Sequence, residues 1–140
     1  MDDSARRQAN IAQCHAMFSV FAPFDPQWVA RLHPDIVMEF PFGAAVGLPG
    51  QVIGKEHCVG LFQLVATKLG LTFSNIEILG MADPDMVLAL YSGEGAFDGT
   101  PYRQKYITML RFQDGQLVLY REFVDTQVVA EAFGHLSAIV

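Results

Sequence analysis

Residues 102–125 read YRQKYITMLRFQDGQLVLYREFVD, and the fold turns on how that stretch is parsed. Its first part, 102–112, is aromatic and apolar and holds neither Gly nor Pro, the composition of a strand. Asp114-Gly115 is a hairpin-turn pair, and 117–124 reads as a second strand. Strands joined by so short a turn run antiparallel.

The same logic extends upstream. Asp98-Gly99-Thr100-Pro101 is a turn, 86–97 a strand, Asp83-Pro84-Asp85 another turn, and 71–81 a strand with Phe73, Ile76 and Ile78 among its apolar members. Four strands thus form a meander. Before Gly70 the period becomes helical. Cys58, Leu61, Phe62, Val65 and Leu69 share one face of a helix over 55–69, with Gly70 as its stop. Residues 43–54 hold four glycines and Pro49, hence a loop, and 36–42 read as a strand. Asp25 caps a short helix with Pro26 at its first position; it carries Trp28, Val29 and Leu32 and is closed by His33-Pro34. Helix 4–22 places Ile11, Cys14, His15, Phe18 and Phe21 on one face and ends at Pro23. Past the last strand, Asp125 or Thr126 caps a helix through about 136, with Val129, Ala132, Phe133 and Leu136 on one face. The class is α+β: a cone-shaped fold whose curved antiparallel sheet is covered by helices on its concave face. Residues 1–140 are expected to form a single domain.

Composition narrows the function. Apolar residues make up 51% and charged residues 17%, too apolar for a disordered chain. No apolar run approaches the ~20 residues of a membrane span. The net charge of −6 leaves no basic footprint for nucleic acid. Arg6-Arg7 precedes no apolar run of a signal peptide, and Cys14 and Cys58 form no spaced motif, so two free thiols in a reducing cytoplasm are expected. His15, His33, His57 and His135 lack ligand spacing, so no metal is expected. There is no P-loop and no G-x-S-x-G, and Gly93-x-Gly95 is too short for a dinucleotide fingerprint, so no cofactor is expected. The apolar surplus suggests a lined cavity, a subunit interface, or both.

Three stretches carry a family resemblance. They are Glu39-Phe40-Pro41-Phe42 with Gly47-Leu48-Pro49 and Gly54-Lys55-Glu56; Tyr102-Arg103-Gln104-Lys105-Tyr106-Ile107; and Asp114-Gly115 followed by Tyr120-Arg121-Glu122-Phe123-Val124-Asp125. The chain resembles the SnoaL-like branch of the nuclear-transport-factor-2-like superfamily, which holds ketosteroid isomerases, limonene epoxide hydrolase, polyketide cyclases and the PhzA/PhzB proteins. The resemblance implies a cone-shaped fold, a pocket and pairing through the outer sheet face. The isomerase base position falls on Phe40 and the second isomerase acid near Thr108; a phenyl ring cannot shuttle a proton, and a threonine is a poor substitute for a neutral carboxylic acid. Of the hydrolase's Arg-x-Asp pair and second Asp, the acids match Glu94 and Glu122, while the Arg position is Ser92. The glutamate of the PhzA/PhzB Arg-Glu-Phe triplet matches Glu122 within Arg121-Glu122-Phe123. Glu122 is the position on which two relatives agree.

Alternation tests this pattern. If Glu122 points into the cone, so do Val118, Tyr120 and Val124, while Arg121 and Phe123 face outward. The resemblance puts Gln104, Tyr106 and Thr108 inside. Glu94 shares a face with Ser92, Leu90 and Leu88, taken as the inner one unless a bulge between Gly93 and Gly95 turns it. A carboxyl in an apolar cavity resists ionisation and becomes a proton carrier near neutral pH. The expected catalytic residues are Glu122, Glu94 and Tyr106. Gln104, Tyr120, His15, Phe40 and Thr108 are expected to contact the ligand; for His15 the competing reading is a core histidine, and for Glu122 a pairing with an arginine or tyrosine that merely caps the pocket. Cys58 reads as core filler, and Phe40, Phe42, Trp28 and Phe62 as core or pocket wall.

The expected function is a cofactor-independent isomerase, cyclase, dehydratase or hydrolase acting by acid–base catalysis on a small lipophilic carbonyl or epoxide compound, in a homodimer. The alternatives are a non-catalytic ligand-binding or dimer-scaffold protein, and a protein-interaction module.

Overall fold

The structure, a computed structural model, describes residues 2–19 and 25–134. The elements in order are α1 (Asp3–Ser19), α2 (Pro26–Ala30), β1 (Leu32–Glu39), a 3-10 turn (Gly43–Val46), β2 (Gln51–Ile53), α3 (Lys55–Leu69), β3 (Thr72–Gly80), β4 (Met86–Phe97), β5 (Thr100–Gln113), β6 (Gln116–Val124) and α4 (Thr126–Phe133). They build one six-stranded sheet in the order β2-β1-β6-β5-β4-β3. The sheet is curved and unclosed, and the fold is α+β.

The meander expected over β3–β6 is present, each strand antiparallel to the next. β1 instead pairs β6 in parallel, so the sheet is mixed at this seam. The long excursion through α3 and β3–β5 makes a parallel return possible, which a tight turn forbids. Two boundaries also differ from the sequence reading. His33-Pro34 does not close α2 but lies inside β1, where Leu32 is fully buried and partnered with Leu117. The glycine-rich stretch 43–54 is not all loop, since 51–53 pairs with β1 as an edge strand. Phe21, Leu136 and His135 lie outside the described residues.

Local chemistry explains the helix ends. The Asp25 carboxylate accepts from the Gln27 amide at the start of α2. The Asp125 carboxylate accepts from the Gln127 and Val128 amides at the start of α4. α3 stops at Gly70, whose φ of 58° is left-handed and favours glycine.

α1 lies over β3 and β4, and α3 over β1 and β4, on the concave face. α1 is fastened to the β3–β4 turn: Arg6 Nε meets Asp85 Oδ1 at 2.8 Å, Asn10 Nδ2 donates to the Pro84 carbonyl at 3.0 Å, and Arg7 donates to the carbonyls of Met81 and Ala82. Its buried stripe is Asn10, Cys14 and Met17. Under the helices, Trp28 packs edge-on against Phe62 (4.6 Å between centroids) and Phe62 against Tyr120 (5.2 Å), contacts worth about 0.5–1.5 kcal/mol each beyond area burial.

Candidate functional site

Register fixes which residues share the concave face. Tyr91 pairs with Tyr106, Gly93 with Gln104, and Ala89 with Thr108; Thr108 then pairs with Glu122, and Tyr106 with Val124. The inner face therefore carries Ala89, Tyr91 and Gly93 from β4, Gln104, Tyr106 and Thr108 from β5, and Glu122 and Val124 from β6. No register shift interrupts β4 against β5.

A cavity opens on this face, with about 110 Å³ in which the centre of a water molecule can move. α3 contributes Leu61, Phe62, Leu64, Val65, Lys68 and Leu69; α4 contributes Val129 and Phe133. The sheet supplies Met38, Phe73, Phe97, Tyr102, Tyr106, Tyr120, Glu122 and Val124, and Phe40 and Leu48 complete the wall. Among the described residues that line it, Glu122 is the one carboxylate and Lys68, exposed on the last turn of α3, the one cation.

Glu122 is partly buried, and burial raises its pKa from 4.5 to about 7, because a low-dielectric wall disfavours the anion. The Tyr120 hydroxyl opposes this by donating to Glu122 Oε1 at 3.3 Å. Behind Tyr120 the chain continues through the Tyr91 hydroxyl at 3.1 Å to Thr108 Oγ1 at 2.8 Å. The hydroxyls of Tyr91, Tyr102, Tyr106 and Tyr120 are all pushed above their ordinary range, burial being the largest cause. These are neutral donors and acceptors, not bases.

The structure brings some sequence candidates together and separates others. Glu122, Tyr106, Tyr120 and Phe40 line the cavity. Glu94 does not: it is exposed on the outer face, paired in register with Arg103. The alternation of β4 is as expected, but its inward face carries Ala89, Tyr91 and Gly93 and not Glu94. Both parities of β4 are apolar, so its pattern alone leaves the inward face open. His15 is also outside. It sits one residue past Cys14, about 100° around the helix, and is exposed. Thr108 and Gln104 are inner-face residues that do not line the cavity. Thr108 holds Tyr91. Gln104 holds α4: its Oε1 accepts from the Lys105 and Asp125 amides, while its Nε2 donates to the Asp125 carbonyl and to the Tyr102 hydroxyl.

Three participants escaped the sequence reading. Tyr91 follows from the corrected parity of β4. Tyr102 lies two residues before Gln104, so the alternation already used for β5 reaches it. Lys68 is a polar position on the otherwise apolar wall that α3 gives the cavity, and only the three-dimensional arrangement shows it. Arg121 turns outward and pairs with Glu39 at 2.7 Å, so it does not neutralise Glu122. Cys14 and Cys58 are both buried and unbridged; burial pushes the Cys14 thiol up to about 12, which makes it inert. Among the described residues no three His, Cys, Asp or Glu side chains gather where they could hold a metal ion, and no helix is long and apolar enough to cross a membrane.

Comparison with known proteins places this geometry. The SnoaL-like domain profile matches residues 15–120, ending two residues short of Glu122. An uncharacterised PhzA/B-like protein of Pseudomonas aeruginosa is 33% identical over 113 residues, 79% of each chain. Among solved structures, a protein described as a candidate isomerase from Bacillus subtilis superposes with a TM-score of 0.79 at 27% identity, covering 96% of both chains. A phenazine biosynthesis-related protein from Pseudomonas aeruginosa gives a TM-score of 0.81 at 16% identity, covering 96% of this chain and 90% of that one.

Proposed function

The chain belongs to the SnoaL-like domain family, and from that premise we propose that it is a cofactor-independent enzyme, one domain over residues 1–140, acting by acid–base catalysis on a small lipophilic carbonyl or epoxide compound. The observation that carries this reading is Glu122: a carboxyl group facing an apolar cavity with its pKa near 7. At neutral pH such a group is present in both forms, so it can give a proton to a substrate oxygen or take one from a carbon beside a carbonyl. Tyr106, on the same wall, donates a hydrogen bond to the substrate oxygen. Phe40 and Tyr120 form the walls against which the substrate packs.

The test is a melting-curve screen of small ketones, lactones, epoxides and aromatic acids, followed by turnover measurements on the wild type and Glu122→Gln. A ligand at a hundredfold its dissociation constant stabilises the fold by about 2.7 kcal/mol. The Gln variant is expected to bind normally and lose roughly 10²–10⁴-fold in turnover. A panel without any shift, or a Gln variant of undiminished turnover, refutes the proposal.

One observation favours a second reading, a ligand-binding protein without turnover. With Glu94 on the outer face, the cavity wall offers a single carboxylate among the described residues, and no second acid there shares the work of acid and base. In that case Glu122→Gln changes only affinity, and no panel member is converted.

We also propose a homodimer through the outer sheet face. Leu88, Leu90, Ile107, Met109 and Phe123 share that face by register, and Ile107 is 45% exposed and Leu79 42%. A contiguous apolar patch on a sheet marks an interaction surface. The two unbridged thiols fit a reducing compartment, and we place the protein in the cytoplasm.

A further inference from the structure

The orientation of one buried amide determines what the cavity asks of its ligand. The Lys105 and Asp125 backbone amides both lie 2.9 Å from the same Gln104 side-chain atom. Two donors converge there, so that atom is the carbonyl oxygen, and the amide nitrogen must be the atom 2.9 Å from the Tyr102 hydroxyl. Tyr102 therefore accepts from Gln104 and cannot give its hydrogen back. The Tyr106 hydroxyl lies against it in a looser contact. The pair holds two hydroxyl hydrogens, and at most one can serve a bond between them. Neither hydroxyl has another acceptor within hydrogen-bond distance among the described residues, and both rings line the cavity.

We propose that the Tyr102–Tyr106 hydroxyl pair is a hydrogen-bond donor site facing the cavity, its polarity set by Gln104, and that the ligand presents a carbonyl oxygen to it. This rests on the proposed small-molecule site beside Glu122, and it adds Tyr102 as a contact and Gln104 as its positioning residue. The rings are held before any ligand arrives. Tyr106 stacks on Tyr91 at 4.9 Å with 9° between planes, over Gly93, where a Cβ would stand 2.7 Å from the Tyr106 ring. Tyr102 packs against Phe133 of α4 at 5.1 Å. A fixed donor needs no reorganisation when charge builds on the oxygen it holds. Glu122 sits diagonally from Tyr106 on the neighbouring strand, placing proton carrier and oxygen donor on one wall.

The test uses two probes of equal shape, acetophenone and α-methylstyrene, which differ by C=O against C=CH₂. Dissociation constants come from NMR titration at pH 8. The wild type is expected to prefer the ketone by roughly 3- to 10-fold, the range of one net hydrogen bond. The double variant Tyr102→Phe/Tyr106→Phe is expected to bind both probes equally. In Gln104→Glu the carboxylate still accepts from both backbone amides but offers no N–H to the Asp125 carbonyl or to Tyr102, so Tyr102 turns its hydrogen to residue 104. The Tyr106 hydrogen is then shared between Tyr102 and the ligand, so the ketone preference is expected to fall, with both tyrosines intact. A wild type without preference overturns the donor site while leaving the pocket standing. So does a preference that survives the double variant or is undiminished in Gln104→Glu. If neither probe binds, the small-molecule pocket fails and this inference with it.

Discussion

Glu122 should make the protein less stable as the pH rises. Its carboxyl titrates at 4.5 when exposed and at about 7 in the folded chain. Between those values the folded state holds more protons than the unfolded one, so stability falls as pH increases. The stabilisation is complete below 4.5 and is lost as pH passes through the folded value. Moving the carboxyl from 4.5 to about 7 corresponds to about 3 kcal/mol. Glu122→Gln keeps the shape and an oxygen for the Tyr120 hydroxyl but has no proton to lose. Urea denaturation of both proteins from pH 4.5 to 8.5, at one protomer concentration, isolates the effect from every other group. The stability difference should move by about 3 kcal/mol in favour of the Gln variant, with a slope approaching about 1.4 kcal/mol per pH unit between the two values. A flat difference would show that the carboxyl titrates normally and would remove the physical basis for its proposed role. If Glu122 acts as the base, kcat/KM should rise through about 7; if it acts as the acid, kcat/KM should fall there.

Three further outcomes are expected. Glu94→Gln should leave ligand affinity and turnover within about twofold, since the side chain is on the exposed outer face; surface changes of this kind are worth about 0.5 kcal/mol or less. Ile107→Glu puts a charge in the middle of the outer apolar face, and sedimentation should show dimers giving way to monomers while the far-ultraviolet circular dichroism is unchanged. Gly95→Ala would set a Cβ 2.3 Å from the Leu69 backbone carbonyl oxygen. Because backbone must move, the urea midpoint should fall by the equivalent of about 3 kcal/mol, the upper part of the overpacking range.

The parts of the fold written in local chemistry were legible. The Asp114-Gly115 turn, the Gly70 stop and the Asp25-Pro26 cap all act within a few residues, and the strand, helix and cap they announce are where local rules put them. The parallel pairing of β1 with β6 was not legible, because it joins segments about eighty residues apart with no turn between them. Within the site, one ambiguity decided what was missed. In β4 the residues Met86, Leu88 and Leu90 are as apolar as Val87, Ala89 and Tyr91. The pleat then has two acceptable parities, one with Glu94 inward and the other, the one the fold adopts, with Tyr91 inward. Gln104 was placed on the inner face, but its role depends on Asp125, which meets it across the β5–β6 hairpin.

The hydroxyl chain behind Glu122 explains how one carboxyl can serve in two protonation states inside an apolar wall. When Glu122 is ionised, Tyr120 donates to it at 3.3 Å, Tyr91 donates to Tyr120 at 3.1 Å, and Thr108 donates to Tyr91 at 2.8 Å. When Glu122 is protonated, its hydrogen can point to the Tyr120 oxygen, and each hydroxyl behind it rotates to donate the other way. A hydroxyl both donates and accepts, so the three links stay made in either direction. An amide or a lysine in any link would fix the polarity and favour one state. The usual penalty for a buried group that loses its partner, about 1–3 kcal/mol, is therefore avoided at each link in both states. What remains is the desolvation of the charge itself, which places the pKa near 7 rather than near the value of an exposed carboxyl. The burial of Tyr91, Tyr120 and Thr108 keeps the chain dry. The near-neutral carboxyl is thus a product of the whole inner face of β4, β5 and β6, not of the glutamate alone.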